Sequence, residues 1–342
     1  MSIHSRKQEH VELALSGRVT FREVTNGFER YGFEYNALPE IDWSDIDTRT
    51  TFCGVPLALP FLVTGMTGGY PDAEAINRDL AEAAAACGIA LGVGSMRAVL
   101  ESTDPDPSYT VLRSYAHRVP IIANIGAVQA AAWHHAGTLG AMIQRAVDLV
   151  GATALAIHCN PLQELLQPEG EPRFRGVLDA IAAAVDLRIV PIVVKEVGAG
   201  IAPSVAHRLA SVGVTMIDVA GAGGTSWAGV EILRRTDAER VDHLWDVGIP
   251  TAECVVSCSP IVPIVIASGG IVTGTEAAKA IALGASLAGT ARPALEARTH
   301  GGVDAIIEFF RTWELHLRHW MFLTGCASID ALRGTSTIRI MT

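Results

Sequence analysis

PIVIASGGIVTGTEAAKAIALGASLAGTAR, residues 263–292, carries the pattern that decides the fold. It opens with a short apolar run ending in Ser268-Gly269-Gly270, passes through a helical segment at 275–283, and closes with a second run, SLAGTAR (286–292). Neither run alternates apolar with polar residues. Strands written this way are buried on both faces, as in a parallel sheet covered by helices. Strand–helix–strand is the crossover that builds such a sheet. Outward from this stretch the unit recurs. Apolar runs ending in Gly, Ser, Asn or Thr stand at LPFLVTGMTGG (59–69), IALGVGS (89–95), PIIANIGA (120–127), ALAIHCN (154–160), IVPIVVKEVG (189–198) and TMIDVAGAGG (215–224). Helical segments lie between them at 73–86, 137–150, 176–186 and 203–212. Eight strands alternating with helices predict an α/β fold of the closed TIM (β/α)8 type rather than an open sheet. The rival dinucleotide fold needs G-x-G-x-x-G after its first strand, and Gly65-Met66-Thr67-Gly68-Gly69 lacks that spacing.

Residues 1–52 read as an N-terminal arm and extension, with a helix from Arg6 to Leu15, and residues 53–342 as one barrel domain closed by C-terminal helices. Across 303–324, Ile306, Ile307, Phe310, Trp313, Leu317 and Trp320 fall at helical spacing and read as core packing; Thr324-Gly325 reads as the cap.

Composition narrows the function classes. Hydrophobic residues make up 49% of the 342, yet no run of 18 uncharged apolar residues exists, so a membrane span is not expected. The N-terminal stretch MSIHSRKQEHVELAL has no apolar leader region, and the expected location is the cytoplasm. The six cysteines form no C-x-x-C pair and read as reduced thiols. A net charge of −10 argues against nucleic acid and requires that any anionic substrate meet a local cationic site.

In a barrel, chemistry is carried at the C-terminal ends of the strands. There the chain places Thr67 and Gly68, Ser95 and Arg97, Asn124, His158 and Asn160, Lys195, Gly223 to Ser226, Gly269-Gly270, and Gly289 to Arg292. Glycines after strands seven and eight are a phosphate-cradle signal, because backbone amides can approach the anion there. Lys195 ends an apolar run. It reads either as a partner of Glu196 or as a cation facing the electron-rich edge of a flavin. His158 and Asn160 share one strand face and Cys159 the other. Gln163 and Glu164 follow at the barrel mouth, and Glu169 and Glu171 lie on a Pro/Gly loop. One carboxylate with substrate phosphates suits Mg²⁺, which keeps several waters.

These residues sit in motifs that resemble the type 2 isopentenyl diphosphate isomerases over nearly the whole chain: RKQEHVELAL (6–15), TGMTGG (64–69), NRDLA (77–81), GSMR (94–97), ANIGAVQ (123–129), HCNPLQELLQPEGE (158–171), VVKEVGAG (193–200), GAGGTSW (221–227) and ASGG (267–270). The strand-four motif and Gly-Gly-Thr-Ser-Trp are the specific ones; the glycine pairs and the lysine are shared with flavin barrels in general. The resemblance implies FMN contacts at Met66, Thr67, Gly68, Ser95, Asn124, Lys195, Thr225 and Ser226, with its phosphate at Gly269, Gly270, Gly289 and Thr290. It implies a diphosphate clamp of Arg6, Lys7, Ser95 and Arg97. It places His158, Asn160 and Gln163 at the substrate as candidate catalytic groups, makes Glu164 the Mg²⁺ ligand, and puts Trp227 and Glu231 near the site. The implied reaction is a 1,3-allylic proton shift between isopentenyl and dimethylallyl diphosphate on reduced FMN, with NADPH as the flavin's reductant. The implied assembly is a homo-oligomer, a tetramer or octamer.

Two positions depart from the family pattern. Val272 stands where Arg commonly follows the strand-seven glycines, and Val247 where Trp commonly precedes Gly-Ile-Pro-Thr. The rival readings are an FMN-dependent oxidoreductase of the 2-hydroxy acid oxidase type, a non-catalytic FMN-binding barrel, and an isomerase of a modified prenyl diphosphate.

Overall fold

The protein is described by a computed structural model covering residues 3–102, 104 and 106–341, with side chains from Lys7 onward. The eight expected strands are β1 (Phe61–Val63), β2 (Ala90–Gly92), β3 (Ile121–Gly126), β4 (Ala154–His158), β5 (Ile192–Lys195), β6 (Met216–Asp218), β7 (Ile264–Ala267) and β8 (Leu287–Thr290). All pair in parallel and in sequence order, and the sheet closes. The closing seam sets Ala288, Gly289 and Thr290 of β8 opposite Phe61, Leu62 and Val63 of β1.

Period-two geometry sorts the apolar strand residues into two cores. Leu62, Ala90, Ile122, Ala154, Val193, Met216, Ile266 and Leu287 pack together inside the barrel. Their chain neighbours, including Phe61, Leu91, Ile121, Leu155, Val194, Ile217, Val265 and Ala288, face the surrounding helices in a separate cluster. This is why the strands read as unbroken apolar runs. The helices lie where the sequence predicts them, at Ala73–Cys87, Leu139–Val150, Val177–Leu187, Pro203–Ser211 and Gly274–Ala282.

A hairpin ahead of β1 plugs one end of the barrel. Its strands, Thr50–Phe52 and Val55–Leu57, pair antiparallel. Its two turn residues, Cys53 and Gly54, have φ of 49° and 79°, the mirror-image turn that suits twisted strands. Phe52 and Leu57 join the barrel's interior cluster from this end.

The rest of the N-terminal extension is stitched to the molecule at several points. Tyr31–Phe33 pairs with Ile338–Ile340 near the C-terminus. Ahead of it, Ser226 donates its amide to Val19 at 2.7 Å, and Thr20 bridges Thr225. Arg22 stacks on Trp245 at 3.8 Å and holds both oxygens of Asp242. The C-terminal helix spans Arg292–Thr324 and is interrupted at Gly301-Gly302, so the segment 303–324 forms its second arm. Ile306, Phe310, Trp313 and Leu317 of the expected stripe are buried, Trp320 stacks on Phe33 at 4.8 Å, and Gly325 caps the end at φ 74°.

Truncating the plug tests its role. Phe52→Ala should cost about 3–5 kcal/mol, the range for a buried aromatic in a cavity that collapses poorly. Urea unfolding should show a lower midpoint at unchanged slope, with exposed Thr51→Ala close to wild type. Equal midpoints would remove the plug from the core.

Candidate active site

The C-terminal ends of the strands surround a cavity of about 260 Å³. Closure around the barrel brings most of the expected residues to it. Met66 and Gly68 line it after β1, Ser95 and Arg97 after β2, and Asn124 from β3. His158, Asn160, Gln163 and Glu164 reach it from β4, and Lys195 from β5. Thr225, Gly269, Gly270, Gly289 and Thr290 complete the ring. Lys7 enters from the helix Ile3–Leu15 laid across the mouth; the Arg6 side chain lies outside the described residues. Thr67 and Ser226 are buried instead. Thr67 donates its hydroxyl to Asn77. Ser226 donates to the Trp245 carbonyl at 2.7 Å and caps the helix Trp227–Leu233 through the Gly229 amide.

One wall is built for a phosphate. A Cβ on Gly270, where φ is 73°, would sit 2.6 Å from the Gly223 carbonyl, so the loops after β6 and β7 touch backbone to backbone. The carbonyls of Gly269 and Gly270 are taken by Thr251 Oγ1 at 2.6 Å and Asn26 Nδ2 at 2.7 Å. Two helices begin nearby and differ in their caps. Gly274–Ala282 has a closed capping box, in which Glu276 takes the amides of Val272 and Thr273. Arg292–Thr324 has no side-chain cap at Ala291, and Ala291, Arg292 and Pro293 line the cavity. An uncapped helix start beside a glycine cradle favours a phosphate group. Val272, at the departure from the family pattern, also faces the cavity, and Arg292 supplies a guanidinium at this end.

Lys195 is not paired with its neighbour's carboxylate. Its ammonium donates to the Glu196 backbone carbonyl, while Glu196 Oε2 takes the amides of Val197, Gly198 and Ala199. Asp218, the register partner of Lys195 on β6, feels the Lys195 charge, as does Glu196. Burial pushes the Asp218 carboxyl up, and Lys195 and the Ser268 hydroxyl at 2.6 Å oppose that push. These features fit FMN: a phosphate cradle at one side, and a cation among strand ends on the other.

The strand-four residues form a connected network. Asn160 Nδ2 donates to Gln163 Oε1 and to Glu164 Oε1, each at 3.1 Å. Gln163 Nε2 donates to Glu231 Oε1 at 2.9 Å. Glu231 is fully buried; His10 Nε2 lies 3.1 Å from it and Arg234 Nη1 2.5 Å. Burial pushes its carboxyl up, but the close His10 ring and the hydrogen bonds from Gln163 and Arg234 outweigh that and hold it below the usual range. A fixed anion thus orients the Gln163 amide. His158 Nδ1 lies 2.8 Å from Asn124 Oδ1, and Asn124 Nδ2 donates to the Val93 carbonyl, so Nδ1 carries the proton. Burial first, and Lys195 second, push His158 down to about 3. It is a neutral imidazole at physiological pH.

Several site residues went unread in the sequence. His10, Val11 and Ala14 line the cavity beside the expected Lys7, and the spacing of the four, i, i+3, i+4 and i+7, marks one helix face. Asp218 inside an apolar strand was a further signal, since an unpaired buried carboxylate is costly. Gln129, also on the cavity wall, had none beyond its motif. Among the described residues no cluster of three or more acidic, His or Cys side chains is set to hold a metal.

Two outcomes follow. Gly270→Ala should weaken FMN retention about tenfold or more, read by flavin fluorescence, with the far-ultraviolet dichroism of the fold preserved. His158 folds with a value below its unfolded one of about 6.5, so the unfolded chain binds the extra proton. Its contribution is complete above about pH 6.5 and is lost as pH falls towards 3. His158→Asn should therefore flatten the decline in unfolding midpoint between pH 7 and pH 4; an unchanged decline would show that other groups cause it.

The chain matches the family described as FMN-dependent dehydrogenase over residues 2–160 and 164–339, which leaves 161–163 outside the match. It is 44% identical to an isopentenyl-diphosphate delta-isomerase of Pelodictyon phaeoclathratiforme, covering 97% of this chain and 96% of that protein. It is also 44% identical to the enzyme of that name from Cronobacter sakazakii, covering 99% and 97%. Among solved structures it resembles a lactate oxidase of Pediococcus acidilactici, with a TM-score of 0.67 at 16% identity over 99% of this chain and 94% of that one. A mandelate oxidase variant carrying an FMN adduct gives 0.63 at 19% identity over 97% and 92%. The two oxidases share the fold; the full-length identity places this chain in the isopentenyl-diphosphate delta-isomerase family, on the FMN-dependent dehydrogenase barrel.

Proposed function

We propose that this protein interconverts isopentenyl and dimethylallyl diphosphate by a 1,3-allylic proton shift. The observation that carries the reading is the Gln163 amide fixed between Asn160 and the buried Glu231, facing the cavity. Bound reduced FMN supplies an electron-rich ring and a nitrogen able to exchange a proton, and NADPH is the proposed reductant.

The chain's own residues do the rest. Protonation of the terminal alkene places positive charge on a tertiary carbon, which must be shielded from water. Met66, Val11 and Trp227 on the cavity wall exclude water. Gln163 is an amide that neither gains nor loses a proton in the working range, so it positions the alkene. His158, neutral and tied to Asn124, holds substrate by hydrogen bonding rather than acting as an acid. At the other end Lys7, Arg97 and Glu164 take the diphosphate, Glu164 through Mg²⁺; Arg6 belongs to the same proposed clamp. Lys7 is steadied by the Ser95 carbonyl at 2.9 Å and Tyr109 Oη at 3.0 Å. No helix among the described residues is long and apolar enough to cross a membrane.

The 2-hydroxy acid oxidase reading requires a basic His and an Arg for the substrate carboxylate. His158 is pushed down to about 3, and Arg292 stands alone where a pair with a basic His is needed. Neither matches those needs.

The test is an anaerobic assay with isopentenyl diphosphate, FMN, NADPH and Mg²⁺. Dimethylallyl diphosphate should form without net oxidation of the flavin. Gln163→Ala should lower kcat by about 100-fold or more while FMN stays bound. No product with the flavin fully reduced would defeat the proposal, and undiminished turnover in Gln163→Ala would remove that residue from it.

A further inference from the structure

Arg97 faces the cavity but is already occupied. Its Nε donates to Glu101 at 3.0 Å and its Nη2 to Glu171 at 2.7 Å. Glu101 is one turn along on the same helix, Arg97–Glu101. Glu171 comes from elsewhere: it lies on the Pro/Gly loop after β4, where its amide donates to Glu164 Oε2 at 2.7 Å. The same loop sends Glu169 to Arg234 at 3.4 Å. The Glu171 side chain is 41% exposed and that of Arg97 27%, so the pair is wet and weak.

A carboxylate held on a substrate-facing guanidinium competes with a diphosphate for the same donors, because Arg binds both anions through one planar fork. It also repels the incoming charge. We propose that Glu171 is a resident anion on Arg97 that the substrate's diphosphate displaces, so that this residue sets diphosphate affinity from outside the reacting centre. The proposal rests on the reading of this cavity as a diphosphate site. Glu171 is a positioning residue: it orients Arg97 towards the cavity before substrate arrives and gives it up on binding. Its backbone amide stays on Glu164 whatever the side chain does, so the exchange at Arg97 leaves the proposed cation ligand in place.

The test titrates the FMN-bound enzyme with inorganic pyrophosphate by calorimetry, without metal and then with Mg²⁺. Glu171→Gln keeps the size of the side chain and removes the competing charge. Metal-free binding should tighten about two- to fivefold, the range an exposed ion pair commands. In an Arg97→Ala background the same substitution should change nothing. With isopentenyl diphosphate, KM should fall by a similar factor while kcat stays within about twofold. Weaker or unchanged pyrophosphate binding in Glu171→Gln overturns the proposal, as does an equal gain without Arg97. So does a raised Mg²⁺ requirement, which would put Glu171 on the cation. Glu171→Ala, which leaves the loop's amide contact intact, guards against an effect peculiar to glutamine. If wild type fails to turn over isopentenyl diphosphate, the functional reading falls, and the pyrophosphate cycle still decides the Glu171–Arg97 contact.

Discussion

Everything at the site depends on one seam, the pairing of β8 with β1. Ala288, Gly289 and Thr290 run beside Phe61, Leu62 and Val63, and the amide of Thr64 continues the ladder to Thr290. That closure puts residues separated by more than two hundred positions around a common axis. It sets the β1 loop with Met66 and Gly68 beside the uncapped helix start at Ala291. An open sheet of the same strands would leave those two loops on opposite edges, with the cradle far from the flavin wall.

Within that ring the chain solves a charge problem. A protein of net charge −10 must hold anions, and it sets its lysines on neutral oxygens and two of its arginines among carboxylates. Arg234 lies among Glu231, Glu9 and Glu169, and Arg97 between Glu101 and Glu171. A buried partner such as Glu231 cannot be exchanged without stranding a charge, so it defines geometry. Exposed partners such as Glu171 can be exchanged at low cost, so they define affinity.

The fold was legible because its signal is local. Each strand is a short apolar run, each helix a 3.6-residue pattern, and glycine marks the turns. The strand-four site was legible for the same reason, since His158, Asn160, Gln163 and Glu164 lie within seven residues. What escaped was contact across the chain. Adjacency pairs Lys195 with Glu196, yet the Glu196 carboxylate turns away to the amides of its own loop. His10 and Glu231 are more than two hundred residues apart and meet only because the first helix lies across the mouth. Thr67 and Ser226 fall in the right motifs, yet their side chains serve the loops rather than the lumen, a distinction that motif spacing does not encode.

The hairpin under the barrel has a consequence for access. Phe52 and Leu57 join the packed interior from the far end, so the cavity at the strand ends opens away from them, on the side where the helix carrying Lys7, His10, Val11 and Ala14 forms part of its lining. That first helix is therefore both a wall of the site and its threshold, and residues far from the strand motifs share in deciding what the barrel admits.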